Sequence, residues 1–423
     1  MSTPSPSKIP GRRALESLNF FMADAQAGIG PFLGVFLQGR GWGTGAIGSV
    51  MTIGGIAGML ATGPAGALVD ATRSKRALVV IGSIFTVLAS ALLWVSPSYG
   101  MVAASQVATA VAGAALGPAL AGITLGMVRQ AGFDRQFGRN QVANHAGNVI
   151  GASLSGLLGW KFGFGAVFFL AGLFAVLAIV SVLLIPRKSI NDRYARGLES
   201  DNDGEEDVSG LRVLFTNRPL LILAGALAFF HLGNAAMLPL YGLAVVAAHQ
   251  GSPAIFTAKT IVVAQLVMVL TSMLAIRLMR TRGHWWVILI TFLALPLRGL
   301  IAALVIKSWG VWPVQALDGI GAGLQSVAVP ALVARLLKGS GHVNVGQGAV
   351  MTVQGLGAAL SPALGGFIAE LFGYRAAFLL LGAIALGSLA LWMGFARLLK
   401  PACGAYLPPS HGPNSQNRLE SER

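Results

Sequence analysis

The sequence predicts an all-α membrane protein of twelve transmembrane helices in two pseudo-symmetric six-helix bundles. Three observations predict it: a composition too apolar to face water, twelve apolar runs of spanning length, and an internal repeat. Of the 423 residues, 55% are hydrophobic and 11% charged, whereas about a quarter of a soluble domain is charged. The chain therefore needs a lipid bilayer as its principal partner. Its 56 glycines suit helices that approach closely within a membrane.

A span needs about 20 mostly apolar residues. Twelve runs qualify: 17–38, 46–69, 77–96, 100–128, 141–161, 164–186, 219–248, 257–278, 285–306, 311–336, 345–371 and 374–397. They define an N-terminal tail (1–16), a first bundle (17–186), a linker (187–218), a second bundle (219–398) and a C-terminal tail (399–423). The N-terminal tail is basic, and the apolar run behind it is too long for a cleavable signal. The first helix is expected to act as its own insertion signal. The linker mixes the acids Glu199, Asp201, Asp203, Glu205, Glu206 and Asp207 with basic residues, the composition of a solvated connection.

With the N-terminus inside, 24 of the 30 lysines and arginines fall on the inner side and five on the outer side, with Arg298 inside a span. Basic residues favour the cytoplasmic side. The expected placement is a bacterial inner membrane, multi-pass, with both termini cytoplasmic. The net charge of +15 thus reflects topology rather than a nucleic-acid partner. Cys403 is the single cysteine, so no intrachain disulfide or CxxC site exists. The six histidines, at 145, 231, 249, 284, 342 and 411, have no metal-binding spacing. No metal, cofactor or catalytic constellation is expected, and no phosphate-binding GxxxxGK[ST] loop points to ATP. An enzyme is excluded on these grounds, and a channel is disfavoured because nothing resembles a selectivity filter.

The halves resemble one another. Gly151-Ala-Ser-Leu-Ser-Gly156 matches Gly357-Ala-Ala-Leu-Ser-Pro362, and the segment 162–172 matches 372–382 at six of eleven positions. Two repeated halves around a central path is a transporter design, in which one half rocks against the other.

The loop after the second run reads Gly66-Ala-Leu-Val-Asp70-Ala-Thr-Arg73-Ser-Lys75-Arg76. It resembles the signature loop of the major facilitator superfamily, and the twelve-span plan resembles that family over nearly the whole chain. The chain also resembles poorly characterised bacterial permeases of that family. The likeness implies a cytoplasmic gating latch at Gly66, Asp70, Arg73 and Arg76, although Arg73 replaces the family's usual glycine. The plainer reading is that Lys75 and Arg76 only set topology. Helix 11 carries a glycine–proline segment at Gly357 to Gly366, similar to one that antiporters of the family carry in helix 5. Helix 5 here has no such proline, and helix 4 offers Gln106 in place of an arginine.

Ionisable residues inside spans cost roughly 2.5–3.5 kcal/mol on insertion scales and require an explanation. Asp24 lies about 10 Å into helix 1 at the helical rise. A buried carboxylate without a partner favours its protonated form, which suits proton coupling, and the resemblance places helices 1, 4, 7 and 10 around the cavity. The plainer alternative is a solvated Asp24 near the mouth or one capping a bend at Gly28, Gly30 and Pro31. Arg298 and Asp318 lie at similar depth in adjacent antiparallel helices and form a predicted ion pair, structural or opening as substrate or a proton binds. His231 and Asn234 share one face of helix 7, and His231 is a third proton-coupling candidate. Asn144, His145 and Asn148 read as a packing patch. The candidate substrate path comprises Asp24, Gln106, His231, Asn234, Asp318 and Gln325. Gln354 is a further polar candidate. Pro118, Pro239, Pro296, Pro330 and Pro362 are expected to break their helices.

The expected function is secondary active transport of a small-molecule substrate by a monomer, with protons as coupling ion and an amphipathic or lipophilic compound exported. The alternative is uptake of a small organic anion through Arg298 or His231. A non-transporting membrane sensor is the remote alternative.

Overall fold

The computed structural model describes residues 10–27, 30–196, 210–338 and 343–404, and the side chains of Asp24 and Asp70 lie outside that description. Among the described residues the regular elements are all helices. The first apolar run forms α1 (Arg12–Ala27) and α2 (Gly30–Gln38), followed by α3 (Thr44–Ala71) and α4 (Lys75–Val95). Next come α5 (Tyr99–Phe162) and α6 (Phe164–Leu183). After the connecting segment stand α7 (Gly210–Thr216), α8 (Arg218–Asn234), α9 (Met237–Ala247), α10 (Pro253–Arg282) and α11 (His284–Leu304). The last described elements are α12 (Val311–Leu336), α13 (Val343–Gly394) and the short α14 (Ala396–Ala402).

Nine helical stretches among the described residues are long and apolar enough to cross a membrane. Their outer faces carry large apolar side chains such as Leu60 (67% exposed), Phe169 (73%), Leu270 (67%) and Leu371 (71%). Apolar surface on this scale requires lipid or a partner. Two helices are too long for one crossing. At 1.5 Å per residue, the 64 residues of α5 and the 52 of α13 would reach about 96 and 78 Å if straight. A hydrocarbon core is about 30 Å thick. Each is interrupted by one non-helical residue, Arg129 (φ 57°, ψ 177°) in α5 and Gly373 (φ 84°, ψ 163°) in α13.

Gly373 and Gly163 occupy matching places in the internal repeat, each after a phenylalanine. Both adopt left-handed backbone, with φ of 84° and 78°, a region that glycine enters without steric cost. The repeat in sequence is therefore a repeated turn in structure.

The prolines do not break their helices as expected. Helices α5, α11, α12 and α13 run through Pro118, Pro296, Pro330 and Pro362. A proline removes one ladder bond and bends the axis, but flanking turns can hold the helix together. The interruption in the seventh apolar run is a turn at residues 235–236, ahead of Pro239. There the Ala236 N–H donates to Ser361 Oγ of α13 at 2.9 Å.

The connecting segment is more ordered near its ends than its composition implies. Residues 187–189 and 194–196 form 3-10 turns, and α7 lies within the predicted linker. Asn191 N–H donates to the Gly126 carbonyl at 3.0 Å, and the Arg129 guanidinium lies 4.7 Å from the Tyr194 ring centre. The acidic run 199–207 lies outside the described residues.

Candidate substrate path and polar cluster

Helices α3 and α13 cross closely near the end of the bundle that carries residues 38–45 and 371–375. On α3 the contact stripe is Gly45, Gly48, Thr52 and Gly55; on α13 it is Ala359, Pro362, Ala363, Gly366 and Glu370. The spacing of three and four residues places each set on one helix face. Small residues on such a face let two backbones approach. A Cβ at Gly48 would strike the Pro362 carbonyl, and one at Gly366 the Thr44 carbonyl.

Hydrogen bonds reinforce this contact. Thr44 Oγ1 donates to the Gly366 carbonyl at 2.9 Å, and the Ala363 N–H donates to Thr52 Oγ1 at 2.9 Å. Gly45 N–H donates to Glu370 Oε2 at 2.6 Å, so an acid of α13 meets the positive N-terminus of α3. Gln38 Nε2 donates to the Leu243 carbonyl at 3.2 Å and to Tyr374 Oη at 3.1 Å. On the flank, Gly156 and Gly159 of α5 pack against Ala258 and Ala254 of α10.

The other end is different. Beyond Met59, which lies near Gly355, the glycines Gly63, Gly66 and Gly348 face open space. The apolar core divides in the same way. One cluster joins Phe32, Phe36, Ile47 and Val50 to the α8–α13 core. A second, with Leu15, Leu18, Met22, Val69 and Leu116, stays within the first half. The two halves are thus closed at one end and parted at the other. His145 Nδ1 and Gln265 Oε1, 2.9 Å apart, link the halves between these extremes.

A polar cluster lies inside the second half. Arg298 of α11 is 1% exposed. Its Nη1 donates to Asp318 Oδ1 of α12 at 2.7 Å and to Asn234 Oδ1 of α8 at 2.6 Å. Its Nη2 donates to Gln315 Oε1 at 3.2 Å. A buried guanidinium is tolerable only with a carboxylate and further acceptors around it, and α8 and α12 supply them. His231, one turn before Asn234, contacts Gln325 and lies within electrostatic reach of Asp318. The structure therefore brings together Arg298, Asp318, Asn234, His231 and Gln325 from the sequence candidates. It adds Gln315, which lies three residues before Asp318 on the same helix face, a spacing that could have flagged it.

Other candidates lie elsewhere. Gln106 packs against Gly54 of α3 and makes no hydrogen bond to the cluster among the described residues. Asp24 belongs to α1, but its side chain lies outside the described residues, as does that of Asp70. In the signature loop, Gly66 faces open space and Arg73 is exposed. Lys75 is 1% exposed and donates to the Thr72 carbonyl at 3.2 Å. Arg76 donates to the Val182 and Leu183 carbonyls at 3.0 and 2.7 Å, capping the negative end of α6. Lys75 and Arg76 thus hold structure as well as contributing charge. Asn148 donates to Asn144 at 3.1 Å and Asn144 to the Asn19 carbonyl at 3.5 Å, which is packing between helices.

Sequence reasoning missed Glu370, Thr44, Gln38 and Tyr374. They stand at or beyond span ends, where polar residues are ordinary, and nothing local shows that they meet.

A helical bundle with a lipid-facing apolar surface, halves parted at one end and a buried charged cluster defines a membrane transporter. The chain belongs to the major facilitator superfamily, whose model matches residues 16–317 and 293–409. It is therefore no enzyme. Two relatives are the uncharacterized MFS-type transporter Rv2456c of Mycobacterium tuberculosis strain H37Rv and its counterpart MT2531 in strain CDC 1551. Each is 38% identical over 379 residues, covering 88% of this chain and 90% of the relative. Among solved structures, the nucleoside transporter NupG aligns with a TM-score of 0.71 at 15% identity, over 92% of this chain and 99% of that one. A bacterial homolog of the human lysosomal transporter Spinster, inward-facing and unoccupied, gives 0.72 at 14% identity, over 97% and 100%. At such identities these neighbours show the fold alone.

Proposed function

We propose that the chain is a secondary active transporter that moves a small solute by alternating access, coupled to protons, and exports an amphipathic or lipophilic compound. The observation that carries this reading is that the backbone-close contacts between α3 and α13 lie toward one end while the glycines at the other end face open space. A path parted at one end and sealed at the other is one of the two states such a cycle needs.

In this reading α1–α2 and α8–α9 each make one crossing, α5 and α13 each make two, and the halves are two six-helix bundles. The distribution of basic residues supports cytoplasmic termini, and in this reading the sealed end faces outward. Asp24, Asp318 and His231 are the proton-coupling groups, and Asp24, Gln106, His231, Asn234, Asp318 and Gln325 line the path. Gly66, Asp70, Arg73 and Arg76 form the inner gate; Gly66 faces open space and Arg73 is exposed in this state. Export is favoured over anion uptake because Arg298 already holds three acceptors. Its charge is already answered by the Asp318 carboxylate 2.7 Å away, and the residue is 1% exposed, although its Nε has no acceptor among the described residues. The protein acts as a monomer.

A thermal-shift screen against lipophilic cations and small anionic metabolites at two pH values tests the reading, because a ligand of the folded state raises Tm. Stabilisation by lipophilic cations, stronger at high pH, is the expected result. Stabilisation by anions, stronger at low pH, would replace export with uptake.

A further inference from the structure

Outside the path, α4, α6 and the connecting segment enclose a cavity of about 480 Å³. Arg73, Lys75, Arg76 and Arg187 line it, against the single carboxylate of Asp192. Arg73 and Arg187 are exposed, and neither makes an ion pair among the described residues. Arg76 and Arg187 repel one another as like charges. Arg76 spends two of its donors on α6 carbonyls, and a guanidinium has five. Arg73, Arg76 and Arg187 thus outnumber the Asp192 carboxylate in the lining, and Arg76 keeps unused donors.

Its remaining wall is apolar. Val80, Ile81 and Leu183 complete the lining, with Ile81 49% and Leu183 56% exposed, and the adjoining Leu184 67% exposed. These side chains lie on the lipid-facing surface of α4 and the end of α6. Basic groups thus stand directly beside an apolar strip, at the level where membrane gives way to water. Basic pockets between helices at that level suit anionic headgroups.

We propose that this cavity binds an anionic phospholipid, its phosphodiester held by Arg73, Arg76 and Arg187 and its acyl chains lying along Ile81 and Leu183. A soluble phosphate matches the cations but makes no use of the apolar strip. A neutral lipid matches the strip but leaves the surplus charge unanswered. The lipid would tie α4, α6 and the connecting segment together, next to the loop that carries Asp70.

The test is native mass spectrometry of the full chain in detergent, titrated with phosphatidylglycerol or phosphatidylcholine. The wild type should retain phosphatidylglycerol and not phosphatidylcholine. Arg73→Gln/Arg187→Gln should weaken phosphatidylglycerol binding about thirtyfold, since each basic group at a membrane surface contributes about 1 kcal/mol. Arg280→Gln/Arg282→Gln, which removes the same charge from exposed positions on α10, should leave it unchanged. Millimolar inorganic phosphate should not displace the lipid. Equal phosphatidylglycerol binding by wild type and Arg73→Gln/Arg187→Gln would overturn the site. Equal loss in both double variants would reduce it to net charge, and displacement by inorganic phosphate would make it a soluble-anion site.

Discussion

Replacing Arg298 by Met keeps most of the volume but removes the cation that three acceptors share. Asp318, with its side chain only 13% exposed, would be left without its partner, and Asn234 and Gln315 would each lose a donor. Removing one partner of a buried pair costs about 3–5 kcal/mol. Residual exposure of Asp318 places the expected loss near the lower figure, about 3 kcal/mol. Asp318→Asn keeps two acceptors on the guanidinium but leaves its charge buried without a counter-ion, which is also destabilising. In Arg298→Met/Asp318→Asn no uncompensated charge remains, and the new amide can donate to Asn234. The double variant should therefore be more stable than Arg298→Met alone, with a coupling of about 2 kcal/mol, in the range of contacting pairs. Equilibrium unfolding in mixed detergent and SDS measures all three. Additive single effects, within about 0.5 kcal/mol, would refute the argument. Unaltered stability with lost transport would leave the pair its place in the path and remove its structural part.

Gly48→Val puts a branched side chain against the Pro362 carbonyl, so the sealed end should open, and thiol labelling of a cysteine placed at Met51 should rise. Unchanged labelling would show that α3 and α13 are not the seal. Glu370→Gln keeps an acceptor for the Gly45 N–H but loses the charge at the α3 N-terminus. It should shift the balance away from the sealed end by about two- to fivefold, read from spin-label distances. At the other end, burial works against the Glu16 carboxylate, but hydrogen bonds from Arg139 and Gln136 and the charges of Arg139 and Arg12 hold its pKa below the usual 4.5. A depressed carboxylate pKa contributes stability above pH 4.5 that is lost as pH falls through the lower folded value. Glu16→Gln should therefore reduce stability at pH 7 and converge with wild type in acid; a constant difference down to pH 3 would contradict the assignment.

The helices were legible because lipid imposes one requirement, a long apolar run, and the chain meets it repeatedly. Arg298 and Asp318 were legible because charge is so costly in a span that equal depth in neighbouring helices nearly dictates a pair. The turns at Gly163 and Gly373 fall in the breaks between apolar runs, 161 to 164 and 371 to 374. The seal did not. Gly45, Gly48 and Gly55 look like many small residues in membrane helices until Ala359, Pro362 and Gly366 are known to lie opposite. Glu370 resembles any acid at a span end until Gly45 appears beside it. Proline misled as a signal of helix interruption, whereas the non-helical Arg129 falls where the fourth apolar run ends, at residue 128. The acidic loop and Asp24 belong to what sequence alone still carries.

Alternating access itself is best tested by paired spin labels in lipid nanodiscs, in a Cys403→Ser background. One pair would sit at Arg40 and Arg375, across the sealed end, and one at Val142 and Met351, across the parted end. The account predicts two populations whose distances change in opposite senses with pH or ligand: short at the first pair with long at the second, and the reverse. A single invariant distance at both pairs, under every pH and ligand tried, would contradict it.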